Sequence, residues 1–175
     1  MALMGEDALL SPRRMLQAFR VIDDRCGGSA QTTSLDALRE RLAGELLGDE
    51  LRVAATLDPD FALVTHTGGP ARTIAGRDMV DGIRRQGEAG VMIWTELDDL
   101  VSEPDMVAGH GLLHTLSPEP CAVTTFPLAF FIRYSEGLMA SEVAFMDVAA
   151  AIATSLPKGT TPSIELLQFL RTSLE

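Results

Sequence analysis

Basic residues and cysteines are scarce in this chain of 175 residues. Its 14 Lys and Arg side chains stand against 25 Asp and Glu, which gives a formal net charge of −11. Phosphate backbones and anionic membrane surfaces repel such a protein, so neither nucleic acid nor a membrane is an expected partner. The two cysteines, Cys26 and Cys121, form no CxxC pair. We therefore expect reduced thiols in a cytoplasmic protein.

The sequence also lacks long apolar runs and the common signatures of cofactor and hydrolase chemistry. Its longest apolar stretch, near residues 148–153, is far too short to span a bilayer. Residues 1–7 carry no basic segment, so we expect no signal peptide. GxSxG, P-loop, GxGxxG and HExxH motifs are absent, which argues against α/β-hydrolase, NTPase, Rossmann and zincin chemistry. We expect no cofactor.

Hydrophobic residues make up 46% of the chain, enough for one domain with a real core. Leucines 35, 38, 42 and 46 form an apolar stripe that predicts a helix, with Arg41 and Glu45 on the side facing away from it. A further helix is predicted over 77–86. We expect an N-terminal extension with one helix (1–30), a main domain (31–150) and a C-terminal extension with one helix (151–175).

Two consecutive β-hairpins are predicted between residues 92 and 147. Their strands span roughly 92–103, 106–116, 123–135 and 138–147, joined by the turn dipeptides Pro104-Asp105 and Glu136-Gly137. A shorter strand precedes them at 61–66. Helices followed by long hairpins predict an α+β fold, in which a curved antiparallel sheet wraps around the N-terminal helices and leaves a blind-ended pocket.

The expected turn at Glu136-Gly137 sets which side chains of the last hairpin share a face. Continuous pairing from this turn places one set on a single buried face: Phe126, Phe130, Ile132, Tyr134, Met139, Val143, Phe145 and Asp147. Phe131, Ala140, Glu142 and Ala144 would then lie on the opposite face. Because an apolar face should not meet solvent, we expect a homodimer through the strands around Phe131, Ala140 and Ala144.

The chain resembles the nuclear transport factor 2-like superfamily, and within it the SnoaL-like and ketosteroid-isomerase-like branch. The resemblance covers about 35–147 and lies in Asp60-Phe61 to His66, Gly76-Arg77-Asp78, 99–103 and 132–137 running to Asp147. It implies a cystatin-like cone, with helices packed in the hollow of a bent sheet and a pocket at the open end. Members often dimerise through the outer face of the sheet. They include isomerases, hydrolases, dehydratases, cyclases and non-catalytic binders.

Four residues are candidates for catalysis. Asp147, placed among aromatic rings, would be desolvated and have a raised pKa suited to acid/base work. Tyr134 could donate to a developing oxyanion. His110 lies opposite Asp99, a carboxylate that could orient its imidazole, and His114 could donate a hydrogen bond. For each residue a structural role, at the surface or in the core, is the alternative.

A metal site is not expected, because His110 and His114 would lie roughly 13 Å apart along one strand. His66 lies at a strand end beside a glycine loop, where the mouth of a pocket would be. The candidate substrate-binding residues are His66, Trp94, Phe126, Phe130, Met139 and Phe145.

The sequence is compatible with two functions. The first is a cofactor-independent isomerase, dehydratase or cyclase acting on an apolar cyclic molecule, with Asp147 or His110 as base. The second is a non-catalytic ligand-binding or dimerisation module. Two titratable groups converging on one closed pocket would favour the enzyme.

Overall fold

The computed structural model describes residues 9–26 and 32–175. The predictions for residues 1–7 therefore lie outside the described residues. Six helices are found within them: α1 (Pro12–Met15), α2 (Gln17–Arg25), α3 (Thr32–Leu47), α4 (Glu50–Ala54), α5 (Gly76–Glu88) and α6 (Ile164–Leu174). None of these helices is long and apolar enough to cross a membrane.

Seven strands of the described residues form one curved, open sheet. They are β1 (Leu57–His66), β2 (Arg72–Ala75), β3 (Met92–Glu103), β4 (Met106–Ser117), β5 (Ala122–Ser135), β6 (Leu138–Met146) and β7 (Ile152–Ser155). The order is β2-β1-β6-β5-β4-β3, and β7 pairs with the first residues of β5. All pairs are antiparallel except β1 with β6. The predicted α+β fold, a curved sheet around N-terminal helices, is confirmed.

The two strands that the sequence did not predict are short and lie at the periphery. β2 and β7 have four residues each, and nearly all their side chains are exposed. Neither strand shows the alternation of apolar and polar residues that marks a half-buried strand. These two strands form because β1 and β5 offer edges with which they can pair, and not because their own residue pattern favours a strand.

Helix α3 is buried on two sides and contributes to two hydrophobic clusters of the described residues. Leu35 and Leu38 pack in the hollow of the sheet with residues such as Leu97 and Ile132. The other side of α3 packs into a second cluster with α1, α2, α6 and the outer side of the β3 end of the sheet. Its members include Met15, Phe19, Ala43, Leu46, Trp94, Leu116, Leu166 and Leu170. The predicted leucine stripe is thus divided between two cores.

Polar contacts hold the terminal helices in place. The Gln17 amide donates to the carbonyl oxygen of Leu97 and accepts from its backbone nitrogen, both at 2.5 Å. At the C-terminal end of the chain, Arg52 Nη2 donates to the carbonyl oxygen of Leu174 at 2.6 Å. Both ends of the described chain are therefore part of the packed structure.

The turn predictions are correct, but the register beyond each turn changes at a β-bulge. Glu136 and Gly137 have φ values of 52° and 83°, so both adopt the left-handed conformation that a tight two-residue hairpin requires. Ser135 opposes Leu138 as predicted. Ala140 is then an extra residue in β6, and every later pair is shifted by one.

This shift reverses the faces predicted for β6. Phe130 opposes Ala144 rather than Val143, so Ala144 and Glu142 point into the hollow. Phe145 is 44% exposed on the outer face. The prediction that Phe145 shares a buried face with Phe130 is therefore wrong, because a one-residue slip moves every later side chain to the other side.

A second bulge acts in the same way in the first hairpin. Asp99 opposes His110 as predicted, but Asp98 is an extra residue in β3. Trp94, rather than Thr95, consequently lies opposite His114. Beside this bulge, a Cβ atom added at Gly111 would clash with the Glu96 carbonyl oxygen. Glycine at this position allows the bulged strand to approach its neighbour.

We expect Gly111→Ala to lower the free energy of unfolding by at least about 2 kcal/mol, because backbone rather than a flexible side chain meets the new methyl group. The matched control is Gly82→Ala in α5, where the added Cβ meets nothing within 4 Å. This change should stabilise the protein by about 0.5–1 kcal/mol, since alanine is the better helix former. Urea unfolding of both variants measures the two effects. Equal stability of the two variants would contradict the close approach at Gly111.

Candidate functional site

A cavity of about 310 Å³ lies between α3, α5 and the inner face of the sheet. Its wall is mostly apolar: Leu38, Leu42, Leu63, Ile74, Met79, Ile83, Ile93, Leu113, Leu128, Phe130, Ile132, Ala144 and Met146. Apolar cavities of this size with a few polar groups are typical binding sites for small organic molecules. The cavity therefore forms the candidate site.

Charged side chains form one part of the cavity wall. Arg41 and Glu45 lie one turn apart on α3, and Arg41 Nε is 2.9 Å from Glu45 Oε1. Arg41 Nη1 also donates to Glu142 Oε2, on β6. The side chains of Arg41, Glu45 and Glu142 are only 8%, 12% and 7% exposed. We call these three residues the buried ion cluster.

The electrostatics of the buried ion cluster are unbalanced, because two carboxylates share one guanidinium. Burial raises the pKa of Glu142 above its usual value, Arg41 opposes this shift, and the charge of Glu45 adds to it. Burial would lower the pKa of Arg41, but Glu142 and Glu45 together hold it above its usual value. The guanidinium thus stays charged, whereas burial makes the ionised form of Glu142 less favourable than that of a surface glutamate.

Gln86, on α5, adds a hydrogen-bonding group to the cavity wall. Its Oε1 atom is buried and accepts no hydrogen bond from the described residues. A buried acceptor without a partner costs free energy, which a donor on a bound ligand would recover. The cavity therefore offers a ligand an ionisable carboxyl group, a fixed cation and a neutral amide.

The sequence matches no protein-family model, and it matches no curated protein. Solved structures do match. A LEH-like epoxide hydrolase from M. tuberculosis superposes with a TM-score of 0.58 at 17% identity, covering 83% of this chain and 97% of that one. Δ5-3-ketosteroid isomerase from Mycobacterium sp. gives a TM-score of 0.59 at 15% identity, covering 70% and 98% of the two chains. An NTF2-like protein from Burkholderia xenovorans gives 0.55 at 14% identity, covering 70% and 95%.

The chain has the nuclear transport factor 2-like fold. The resemblance inferred from the sequence is thereby confirmed at the level of the fold. Since the identities are 17%, 15% and 14%, the likeness carries no catalytic residue from these proteins to this chain. The function of this chain depends on the residues that line its own cavity.

Asp147, the leading catalytic candidate of the sequence, lies outside the cavity of this NTF2-like fold. Its side chain is exposed, and Oδ1 accepts a hydrogen bond from the backbone nitrogen of Ala150 at 3.0 Å. It borders an open groove of about 400 Å³ on the outer face, together with His66 and Phe145 but not Phe126. His66 stacks on Phe145 with ring centroids 4.7 Å apart. A structural role, closing the turn after β6, accounts for this aspartate.

His110 also faces outward, on the side of β4 opposite the cavity. Its side chain is 61% exposed and Nδ1 lies 3.7 Å from Asp98 Oδ2. Asp99, which was expected to orient it, is instead paired with Arg25 at 2.9 Å. No described group closes a pocket around this imidazole.

His114 is fully buried, but in the second hydrophobic cluster rather than in the cavity. Its ring stacks on Trp94 at 5.0 Å, and its Nδ1 lies 2.9 Å from Thr125 Oγ1. Its Nε2 lies 3.0 Å from Glu96 Oε1, which also binds Arg14 at 2.6 Å. Burial lowers the pKa of His114. Trp94 and His114 thus form part of the interface that holds α1 against the sheet.

Tyr134 and Met139 pack beside the buried ion cluster without lining the cavity. Met139 Sδ lies 3.7 Å from Arg41 Nη1. Tyr134 is 7% exposed, and its hydroxyl forms no hydrogen bond with the described residues. Burial and the nearby charge of Glu142 raise its pKa, so it remains a neutral phenol. Of the six predicted substrate-binding residues, only Phe130 lines the cavity.

Sequence reasoning missed all three members of the buried ion cluster. Arg41 and Glu45 were assigned to the solvent side of α3 because they are charged, and Glu142 was assigned to the outer face by the uncorrected register. One signal was available: an Arg and a Glu with i,i+4 spacing lie directly between leucines of the buried stripe. Charged residues in such a position are buried when a carboxylate from another element completes the pair.

The raised pKa of Glu142 makes a prediction about stability and pH. A group with a higher pKa in the folded state stabilises the fold below its unfolded pKa, usually about 4.5. That contribution is lost as the pH rises through the folded value. Glutamine imitates the protonated side chain, so Glu142→Gln should gain stability relative to the natural chain as the pH rises from about 4 to about 8.

Urea unfolding at a series of pH values measures this difference. Within the titration window the gain should approach about 1.4 kcal/mol per pH unit. Glu88→Gln is the control, because it removes the same charge from a side chain that is 64% exposed. A difference between Glu142→Gln and the natural chain that stays constant with pH would show that this carboxyl group is not perturbed by burial.

Proposed function

We propose that this protein binds a small, largely apolar cyclic molecule in the cone and carries out cofactor-independent acid/base chemistry on it. The observation that carries this proposal is the buried ion cluster at one side of an otherwise apolar cavity. Proton transfer in isomerisation, dehydration or cyclisation requires a group whose pKa is matched to the task. Glu142 is our candidate for this group, because it is a buried carboxyl in the cavity wall and burial raises its pKa.

Each polar group of the cavity has a role in this proposal. Glu142 takes a proton from the ligand and returns it at another atom. Arg41 positions the carboxylate and stabilises negative charge that develops beside it. Glu45 fixes the guanidinium from the other side, and Gln86 accepts a hydrogen bond that orients the ligand. The apolar wall excludes water, which strengthens each of these interactions.

The named neighbours are compatible with this class of chemistry. One is described as an epoxide hydrolase and another as a ketosteroid isomerase. Both proteins resemble this chain in fold only. They support the idea that such a cone can hold an enzyme site, but they do not favour a particular reaction for this chain.

Deuterium incorporation tests the catalytic proposal. Small cyclic ketones and their amino derivatives are incubated with the protein in heavy water, and exchange at carbon is followed by NMR. We expect exchange with at least one member of the panel, and Glu142→Gln should slow it by about a hundredfold or more. Glu88→Gln, which changes the same charge on the surface, should leave the rate unchanged. Full exchange activity in Glu142→Gln would contradict the assigned role.

The alternative is a binding module without catalysis. It is favoured by the fact that Arg41 already engages both carboxylates, and by the dispersal of Asp147, His110 and His114 outside the cavity. Binding of panel members, detected by ligand-observed NMR, without any solvent exchange would select this alternative.

We also propose a homodimer through the outer face of the sheet. Phe131 and Phe145 are 50% and 44% exposed there, on neighbouring strands. Ala144, which the sequence placed on this face, lines the cavity instead, so the proposed contact centres on the two phenylalanines. Exposed aromatic side chains that lie close together are characteristic of protein interfaces.

Phe131→Asp should convert the dimer into a monomer, because a charge in the centre of an apolar interface is costly to bury. Leu51→Asp in α4 is the control, since Leu51 is 76% exposed but lies on a different surface. Light scattering at micromolar concentration gives the mass of each variant. A natural chain that is monomeric in this measurement would refute the dimer.

A further inference from the structure

The cavity is short of positive charge. Four charged residues of the described chain line it: Arg41, Glu45, Asp78 and Glu142. Asp78 is 61% exposed and lies 3.7 Å from Arg77, so its charge is screened at the surface. The deeply buried part of the wall therefore has two carboxylates and one guanidinium. One further positive charge, or a proton, would balance it.

The buried carboxylates have capacity for another donor. Arg41 binds one oxygen of Glu45 and one oxygen of Glu142. Among the described residues, no hydrogen bond reaches the second oxygen of either side chain. An ionised carboxylate can accept several hydrogen bonds, and an ammonium group supplies three donors in a compact head. An ammonium group would both donate to the second carboxylate oxygens and balance the excess negative charge.

Building on the proposed function, we infer that the ligand of the cavity is an apolar molecule with a protonated amine, which lies against Glu142 and Glu45. A hydroxyl group could donate to the same oxygens but would leave the charge unbalanced. A carboxylate would add a third negative charge to a poorly hydrated site. The apolar wall holds the hydrocarbon part of the ligand, and the ammonium group completes the buried ion cluster.

Protons compete with such an ammonium ligand for the negative charge of the Glu142 carboxylate. The groups that face Glu142 are Arg41 and Glu45 from α3 and the neutral Tyr134 from β5, with Asp78 of α5 at the edge of the cavity. Burial raises the pKa of Glu142, so acid neutralises this carboxylate before it affects most surface carboxylates. Amine binding should consequently weaken as the pH falls, although the amine itself stays protonated.

Three molecules with the same rigid hydrocarbon cage separate these contributions: adamantanamine, adamantanol and adamantanecarboxylate. Isothermal titration calorimetry at neutral pH compares their affinities for the natural protein. We expect the amine to bind at least about tenfold more tightly than the alcohol, and the carboxylate to bind most weakly. The affinity of the amine, but not of the alcohol, should fall in mildly acidic buffer.

Two variants locate the effect. Glu142→Gln should remove most of the preference for the amine while retaining the binding of the alcohol, and Glu88→Gln should preserve the preference. Equal affinities for amine and alcohol, or tightest binding of the carboxylate, would overturn the inference and leave the proposed cavity function standing. If none of the three probes binds, the inference is overturned. If the cyclic ketones and amino derivatives of the exchange experiment do not bind either, the proposed cavity function is refuted with it.

Discussion

The position of Glu142 depends on the extra residue that Ala140 adds to β6. Without this bulge, continuous pairing from the Glu136-Gly137 turn would direct Glu142 to the outer face and Phe145 into the hollow. With it, Glu142 meets Arg41 of α3, and Phe145 is left on the outer surface beside His66. One inserted residue in a strand thereby sets the chemistry of the cavity and the character of the surface behind it.

Stability alone does not account for the buried ion cluster. Removing a carboxylate pair and a guanidinium from water costs several kcal/mol per ion, and apolar residues of the same shape often stabilise a core at least as well. Here the charges adjoin an apolar cavity rather than filling a closed core. An arrangement with one uncompensated negative charge is suited to holding a proton or a cation, which is what acid/base chemistry and amine binding require.

Most of the architecture followed from the sequence because it depends on strong local signals. The turn at Glu136-Gly137, the four long strands and the helix with the leucine stripe all matched within a few residues. The short strands β2 and β7 lack any such signal. The site was not found, because bulges at Asp98 and Ala140 leave no mark in the alternation of side chains. Arg41 and Glu45 have the charge expected of solvent-facing residues, and their burial depends on Glu142, which lies far from them in sequence.

Isotope-edited NMR of the glutamate side-chain carboxyl carbons tests the central claim most directly, since it reports the protonation of Glu142 in the folded protein. The account predicts one carboxyl resonance that titrates above the usual value of about 4.5, is absent in Glu142→Gln, and shifts when a ligand occupies the cavity. If every glutamate titrates at or below that value and none responds to a cavity ligand, the buried ion cluster is not the functional centre of this protein.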